Sequence, residues 1–399
     1  MTTSREIPQP GILPKDPTLG VCMIVRDEEK ALSRCLKSLK GVADELIVVD
    51  TGSKDNTIII AKDFGAKVFH FQWCDDFAAA RNESLKHATA DWILQIDADE
   101  ELLPGSIPHL RKHMLRSVVL CYFIRCDNGP KCSGPQFHWV GRLFRRHPQV
   151  RYHRPYHEGV DRSVQNLILA EPRWQKRYEP SITIRHYGYE KSKMRRKIER
   201  GLPIMKSYLK RNPNDSYILT MLGGIYCSLG RYGEAKAYLN KALHINPNWS
   251  ETNYNLGLTL QKQRKLEAAI RCYKKAIAGD PLLAEAYASL AAIYTQKGML
   301  DNAISELETA LAINPDLALA HSHLGVAYRN KGMFDRAISE YKRAVAINPS
   351  LAEAHNNLAV AYYFEKQYEL AIVHCDKALE LGLKAHPDFL QALKEYRCS

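Results

Sequence analysis

The sequence predicts a chain of two parts: an α/β domain with a mostly parallel sheet and flanking helices, followed by an all-α solenoid of helical repeats. Short apolar runs alternate with helical patterns in the first half, and in the second half a proline recurs every 34 residues. Of the 399 residues, 45% are hydrophobic and 25% are charged. These values exclude collagen-like, coiled-coil and wholly disordered chains.

Changes in composition and periodicity divide the chain into five segments. The boundaries follow from a proline-rich start, a change of period near residue 190, and the return of non-repetitive sequence near residue 386. In order, we expect an extended N-terminal arm (1–18), the α/β domain (19–189), a basic helical linker or degenerate leading repeat (190–215), five repeats (216–385) and a capping helix (386–399).

The α/β domain is predicted from three apolar runs at 21–25, 46–49 and 92–96. Nearly continuous apolar runs suit strands that are buried on both faces of a parallel sheet. Helical patterns separate them at 28–39, 55–64 and 77–87, so right-handed βαβ units are expected. In such sheets ligands bind beyond the carboxyl ends of the strands, which directs attention to those positions.

The repeats are predicted from residues that return in register. A proline after Asn or Asp cannot continue a helix and ends the second helix of each unit. Small residues at fixed points let the two helices of a unit approach closely. The pattern resembles the tetratricopeptide repeat, and it rests on Pro213, Pro247, Pro281, Pro315 and Pro349, with Ala235, Ala269, Ala303, Ala337 and Ala371 as one of the small positions.

Positive charge is concentrated in the middle of the chain. Residues 101–213 hold 24 Lys and Arg against 8 Asp and Glu, whereas residues 214–399 hold 20 against 19. Such a segment suits nucleic acid, an anionic membrane surface or a phosphorylated ligand, or it is a solvated face. The basic run 191–197 is expected to be solvated. No RNA-binding motif accompanies it, so nucleic acid is not expected and membrane contact is peripheral at most.

Acidic residues follow two of the predicted strands. Asp50 ends the second strand, and Asp97 and Asp99 follow the third in an Asp-Ala-Asp sequence. Extended residues i and i+2 face the same way, so both carboxylates can reach one hard cation. Mg²⁺ or Mn²⁺ at such a place keeps open positions and prefers phosphate oxygens.

Four ordered blocks in the first half resemble the family 2 glycosyltransferases. They are VCMIVRDEE at 21–29, IVVDTGS at 47–53, DDFAAARN at 75–82 and WILQIDADEE at 92–101. The whole layout is similar to bacterial sublancin-type S-glycosyltransferases, which have tetratricopeptide repeats behind the transferase domain. The resemblance implies a GT-A nucleotide-sugar-binding fold and transfer of a sugar, with inversion, from a nucleotide diphosphate donor that is usually a UDP-sugar.

The resemblance also implies roles for single residues. Asp50 is expected to contact the nucleotide base, and Arg26 and Arg81 to lie near the nucleotide. Asp97 is expected towards the ribose and the metal, and Asp99 on the metal. Two alternatives remain open: Asp50 as an acid at a helix N-terminus that Ser53 caps, and His186 as a third metal ligand or a merely packed histidine.

The base that takes the acceptor's proton is not assigned by motif, because the family's Gln-x-x-Arg-Trp pattern is absent. The sequence offers the pair His157 and Glu158, which is a recurring feature of the repeat-bearing relatives. Glu158 is the leading candidate, with His157 as its partner or as the base itself. The alternative is a structural pairing of Glu158 with Arg154 or Arg162.

The function that these observations favour is a metal-dependent inverting glycosyltransferase whose repeats recruit a peptide or protein. The alternatives are a cell-envelope sugar transferase, and an interaction protein with a degenerate transferase domain. Self-association into a homodimer is the rival use of the repeats.

Ten cysteines without tight spacing, and a start without a signal-peptide core, favour the cytoplasm, with at most contact to the inner face of the membrane. Side chains expected on the concave face of the solenoid are Asn253, Tyr287, His321 and His355, with Asn255, Asn356 and Asn357 close by.

Overall fold

The computed structural model describes residues 16–128, 137–187 and 191–397, without the side chains of 191–196. The chain divides into two compact units, Met1–Tyr208 and Leu209–Ser399. Most of the predicted arm, the boundary expected at residue 189, and all but the last side chain of the basic run 191–197 lie outside the described residues.

The first unit is built around an eight-stranded sheet with the order β3-β2-β1-β4-β7-β6-β8-β5. Helices α1 to α3 fall where the apolar and polar periodicities place them, and α3 spans the predicted range. The strands are β1 (Leu19–Val25), β2 (Glu45–Asp50), β3 (Lys67–His70), β4 (Trp92–Gln95), β5 (Glu100–Leu102), β6 (Val119–Asp127), β7 (Phe137–Arg145) and β8 (Gln175–His186). The helices are α1 (Glu29–Ser38), α2 (Thr57–Asp63), α3 (Phe77–His87), α4 (Ile107–Met114), α5 (Asp161–Ala170) and α6 (Lys191–Arg211).

The two halves of this sheet differ in direction. Strands β3, β2, β1 and β4 pair with one another in parallel, which confirms the predicted α/β class. Strand β7 joins β4 and β6 antiparallel, β8 runs parallel to β6, and β5 pairs antiparallel with β8. The sheet is therefore mixed, and its antiparallel strand β7 runs past the carboxyl end of β4, with Leu143 opposite Leu94.

The start of α2 differs from the prediction that Ser53 caps it. Helix α2 begins at Thr57, and the Asp55 carboxylate accepts the Thr57 backbone N–H at 3.0 Å. The Ser53 hydroxyl instead accepts the backbone N–H of Asp27 at 3.0 Å. The expected cap is wrong because a serine in the loop after β2 meets the loop after β1, a contact that sequence spacing does not report.

The second unit consists of five antiparallel helix pairs and a final helix. Each pair covers one predicted repeat, and the helices within a pair make the most extensive contacts. The helices are α7 (Ser216–Ser228), α8 (Tyr232–Ile245), α9 (Ser250–Lys262), α10 (Leu266–Gly279), α11 (Ala284–Gln296), α12 (Leu300–Ile313), α13 (Ala318–Asn330), α14 (Phe334–Ile347), α15 (Ala352–Phe364), α16 (Tyr368–Glu380) and α17 (Pro387–Lys394). In the part of the chain that the structure describes, no helix is both long and apolar enough to span a bilayer.

Small residues in the repeats allow aromatic rings to fill the space between the helices of a pair. A Cβ atom on Gly257 would lie 2.5 Å from the ring of Tyr273, and one on Gly325 would lie 2.5 Å from the ring of Tyr341. Both tyrosines are fully buried. The recurring glycine is therefore required by close packing, as the repeat pattern predicted.

The side chains expected to line the concave face are largely internal, which corrects that prediction. Asn253 is 2% exposed, and His321 and His355 are each 6% exposed. Each of the three side chains bonds to the carbonyl oxygen of the proline six residues earlier, at 3.0–3.1 Å. They tie the first helix of a repeat to the turn before it, so they are not available to a peptide. Tyr287, Asn255, Asn356 and Asn357 are half-buried.

Candidate active site

The candidate site lies at the carboxyl ends of β2 and β4, where the sequence places its acids. Asp50 is 2% exposed at the end of β2. Its carboxylate accepts the backbone N–H groups of Gly52 and Ser53, both at 3.1 Å, and its Oδ2 lies 3.4 Å from Nδ1 of His70. Asp50 therefore stabilises the turn that follows β2 and does not act as an acid at the start of α2.

Asp97, just after β4, lies between two arginines. Its Oδ1 is 2.9 Å from Nη1 of Arg81 on α3, and its Oδ2 is 3.1 Å from Nη2 of Arg142 on β7. Burial alone would raise the pKa of the Asp97 carboxyl, but Arg142 and Arg81 hold that pKa well below its ordinary value. Asp97 is therefore ionised across the physiological pH range.

Arg142 is a site residue that the sequence analysis missed, and a β-bulge places it there. Tyr122 of β6 pairs with Leu143 and Phe123 pairs with Gly141, so Arg142 has no partner across the ladder. Bulges redirect side chains next to active sites. Arg142 also donates to Glu100 at 2.7 Å. The single guanidinium serves two acids, and burial raises the pKa of the more deeply buried Glu100 to about 7.

Asp99 and His186 meet because β5 pairs with the end of β8. Glu100 is opposite His186 in that ladder, and the Tyr187 backbone N–H donates to the Asp99 carbonyl oxygen at 3.0 Å. Nε2 of His186 lies 3.3 Å from Oδ2 of Asp99. Burial opposes ionisation of Asp99, but the hydrogen bond and charge of His186 lower the pKa of this carboxyl.

The donor chemistry at Asp99 and His186 fits a divalent cation. A carboxylate beside an imidazole supplies two adjacent ligands of the kinds that Mn²⁺ accepts. Asp97 does not join them as a ligand set, because both of its oxygens face arginines. Among the described residues no three His, Cys, Asp or Glu side chains converge on one point. Asp99 and His186 would thus supply two ligands of a bound metal, and the substrate and water would have to supply the others.

Glu158 faces Arg81, not Arg154 or Arg162 as the structural alternative supposed. Its Oε1 accepts from Nε of Arg81 at 2.6 Å. The neighbouring Asn82 pins the same loop, since its side chain exchanges hydrogen bonds with the backbone of Tyr152 at 2.8 and 3.0 Å. The two polar residues of the Ala-Arg-Asn block therefore act together: one pairs with the carboxylate and the other holds the loop that presents it.

Two predicted residues, His157 and Arg26, are exposed. His157 is exposed and has a left-handed backbone, with φ at 54°, as does Arg154 with φ at 72°. Non-glycine residues in this conformation are strained and gather at functional loops. Arg26 is exposed directly after β1. The structure joins Arg81, Asp97, Glu158, Asp99 and His186, while Asp50 lies apart with His70.

Family models match both units of the chain. Residues 20–166 match the glycosyl transferase family 2 model, and tetratricopeptide repeat models match 216–249, 250–281, 291–332, 327–364 and 352–381. A thermophilic tetratricopeptide repeat protein of Thermus thermophilus of known structure is 27% identical, with a TM-score of 0.40, and covers 46% of this chain and 100% of its own.

Two curated relatives match across the two units. A TPR repeat-containing protein of Synechococcus elongatus is 39% identical over 265 residues, which are 65% of this chain and 66% of that protein. The glycosyltransferase SunS of Bacillus subtilis is 28% identical over 235 residues, 57% of this chain and 54% of SunS. The chain thus spans between about half and two thirds of these relatives. The match to SunS confirms the expected resemblance in layout. Residues 20–166 are a family 2 glycosyltransferase domain, and tetratricopeptide repeats follow it in the same chain.

Proposed function

We propose that this chain is an inverting glycosyltransferase that moves a sugar from a UDP-sugar to a peptide or protein acceptor. The observation that supports this most strongly is the cluster at the end of β4, where Asp97 stays ionised between Arg81 and Arg142 beside the Asp99–His186 pair. Buried charges at a strand end do not stabilise a core, because their desolvation costs as much as their pairing returns. Their retention favours a working site over a degenerate one.

In this proposal each residue has a defined task. Asp50 contacts the nucleotide base, and Arg26 and Arg81 lie along the nucleotide. Asp99 and His186 hold Mg²⁺ or Mn²⁺, with Asp97 on the ribose side. When bound, the metal supplies a positive charge to the leaving diphosphate.

Proton transfer is assigned to Glu158, with His157 as its partner or replacement. The C1–oxygen bond to the diphosphate breaks, the acceptor atom bonds to C1 on the opposite face, and the acceptor's proton passes to Glu158. Arg81 donates to the Glu158 carboxylate, and Asn82 holds the loop in place. Exchange of the charged carboxylate for an amide tests this: Glu158→Gln should lower turnover by ~10²–10⁴-fold while donor affinity stays near that of the wild type. If His157→Ala is inactive and Glu158→Gln is active, the two roles are exchanged.

The donor is tested by thermal shift. Nucleotide sugars with uridine, guanosine, adenosine and cytidine bases are each added with and without Mn²⁺, since a ligand that binds only the folded state raises the melting temperature. A UDP-sugar with Mn²⁺ should give the largest rise. If no nucleotide sugar shifts the melting temperature, with or without metal, the proposed activity is wrong.

We assign the repeats to acceptor recruitment and the chain to the cytoplasm. The eight cysteines within the described residues are free thiols, which suits a reducing compartment. Deletion of 216–399 should leave slow metal-dependent donor hydrolysis and abolish transfer to the natural acceptor. Retained hydrolysis shows that the shortened chain is folded. If transfer persists and the protein only changes from dimer to monomer on a sizing column, the repeats serve assembly instead.

A further inference from the structure

Helix α6 places a lysine next to the Asp99–His186 pair. Nζ of Lys197 lies 3.5 Å from Nε2 of His186, which in turn is 3.3 Å from Oδ2 of Asp99. Lys197 belongs to the basic run expected to be solvated. Instead its half-buried side chain reaches the site, while its exposed neighbour Arg200 extends over the ring of Phe77 at 4.9 Å.

The position of Lys197 is fixed by the loop that presents Glu158. The Tyr156 hydroxyl donates to the Lys197 carbonyl oxygen at 2.8 Å. One turn further along α6, a Cβ atom on Gly201 would overlap the Tyr156 ring, so only glycine allows this approach. Tyr156 also packs edge-on against Phe77, with ring centroids 5.7 Å apart. The backbone of Lys197 is therefore held at a defined place relative to the loop that presents Glu158.

The charge of the site calls for a further cation when an anion binds. Asp97, Asp99, Glu100 and Glu158 lie at the site with Arg81 and Arg142, and each arginine contacts two of these acids. Both guanidiniums are therefore already engaged with acids, and an incoming diphosphate would compete with those acids for them. An ammonium group on the Asp99 side adds positive charge and supplies donors that match phosphate oxygens.

We propose that Lys197 binds the diphosphate of the donor, on the flank formed by Asp99 and His186. This inference rests on the proposed function. A metal ion on Asp99 and the ammonium of Lys197 would repel each other unless an anion lies near both, and the diphosphate is the only strongly anionic part of a nucleotide sugar. The base and the ribose carry no charge for Lys197 to recognise.

The test compares a nucleoside diphosphate with its uncharged nucleoside. UDP and uridine are titrated calorimetrically into the full chain with and without Mn²⁺, and GDP, ADP and CDP with their nucleosides are tried in the same way. For the preferred base, Lys197→Met should weaken diphosphate binding roughly 10–100-fold and leave nucleoside binding unchanged. Lys197→Arg should restore most of the affinity. Lys210→Met removes the same charge from an exposed position of α6 and should behave as the wild type.

The outcomes separate this inference from the proposed function. If the wild-type chain binds none of the diphosphates, the proposed function fails and this inference fails with it. If the wild type prefers UDP to uridine and Lys197→Met keeps that preference, Lys197 is not a diphosphate ligand, although the proposed function stands. If Lys197→Met does not melt cooperatively, Lys197→Gln replaces it in the same titrations. Loss of the preference for UDP over uridine in that variant then supports the inference, and retention of the preference contradicts it.

Discussion

In the transferase domain buried charged side chains from distant parts of the chain pair with each other, whereas in the repeats three buried polar side chains bond to nearby backbone. Arg81 contacts Asp97 and Glu158, and Arg142 contacts Asp97 and Glu100. In the repeats, Asn253, His321 and His355 each bond to a carbonyl oxygen six residues earlier. The second arrangement stabilises a turn. The ion pairs of Arg81 and Arg142 stabilise no local turn, which favours a functional role for them.

The largest expected effect follows from removing Asp99. Asp99→Ala should lower sugar transfer by roughly 10²–10³-fold or more, because the proposed ligand of the metal that would stabilise the leaving diphosphate is lost. The melting temperature should change little, since Asp99 lies at a strand end and not in the core. Transfer of labelled sugar and a thermal melt measure the two effects. Asp63→Ala, at an exposed position of α2, is the matched control, and full activity of Asp99→Ala would exclude a functional role for the Asp99–His186 pair.

Removing Arg142 should chiefly affect stability. Arg142→Met leaves Asp97 and Glu100 without a shared partner in a buried place, and breaking a buried ion pair costs about 3–5 kcal/mol. Urea unfolding followed by tryptophan fluorescence reports the domain, since Trp73, Trp92, Trp139 and Trp174 lie in it and Trp249 alone lies in the repeats. Adding Glu100→Gln should restore part of the loss. An additive double variant would mean that Arg142 and Glu100 do not interact.

A smaller effect is expected from overpacking a repeat. Gly325→Ala places a Cβ atom against the Tyr341 ring and should lower the free energy of unfolding by about 1–3 kcal/mol. Gly233→Ala, in α8 where nothing lies within 4 Å of the added atom, should be neutral or stabilising by up to about 1 kcal/mol. Circular dichroism at 222 nm during urea unfolding measures both. Equal effects at the two positions would contradict the packing argument.

The smallest effect concerns pH and the last repeat. Nδ1 of His355 and Nδ1 of His374 lie 2.9 Å apart. At the corresponding positions of the preceding repeat, Nδ1 of His321 lies 2.6 Å from the Glu340 carboxylate. Burial lowers the pKa of both His355 and His374, with further lowering from Lys377 at His355, and from His355 and Lys342 at His374. The unfolded chain therefore binds protons more readily. The stabilisation is present at neutral pH and is lost as pH falls below about 6.5.

This pH effect is measured as the melting temperature of the repeats at about pH 7.5 and about pH 5.5. His374→Glu copies the pair of the preceding repeat, so the variant should lose less stability than the wild type on acidification. If the two proteins respond equally, the histidine pair does not govern the acid response of the repeats.

Sequence patterns predicted elements better than they predicted contacts. The range of α3 and the five helix pairs follow from local periodicity. Ser53, by contrast, does not cap α2, and Asn253 lies inside its repeat and not on a free surface. In both cases the residue type suits the predicted role, but a neighbour distant in sequence, or a turn carbonyl, satisfies the side chain first.

The sequence by itself determined the α/β domain, the 34-residue repeat and the acids that end β2 and β4, because helix, strand and turn formation depend on residues close together in the chain. Only the tertiary structure decided that a bulge directs Arg142 to Asp97, that Glu158 faces Arg81, and that α6 brings Lys197 to His186. Those contacts depend on the antiparallel pairing of β7 with β6 and of β5 with β8, and on the approach of α6 to a loop. Neither the strand pairing nor the approach of α6 leaves a periodic pattern in the sequence, since each arises from a single contact between distant segments.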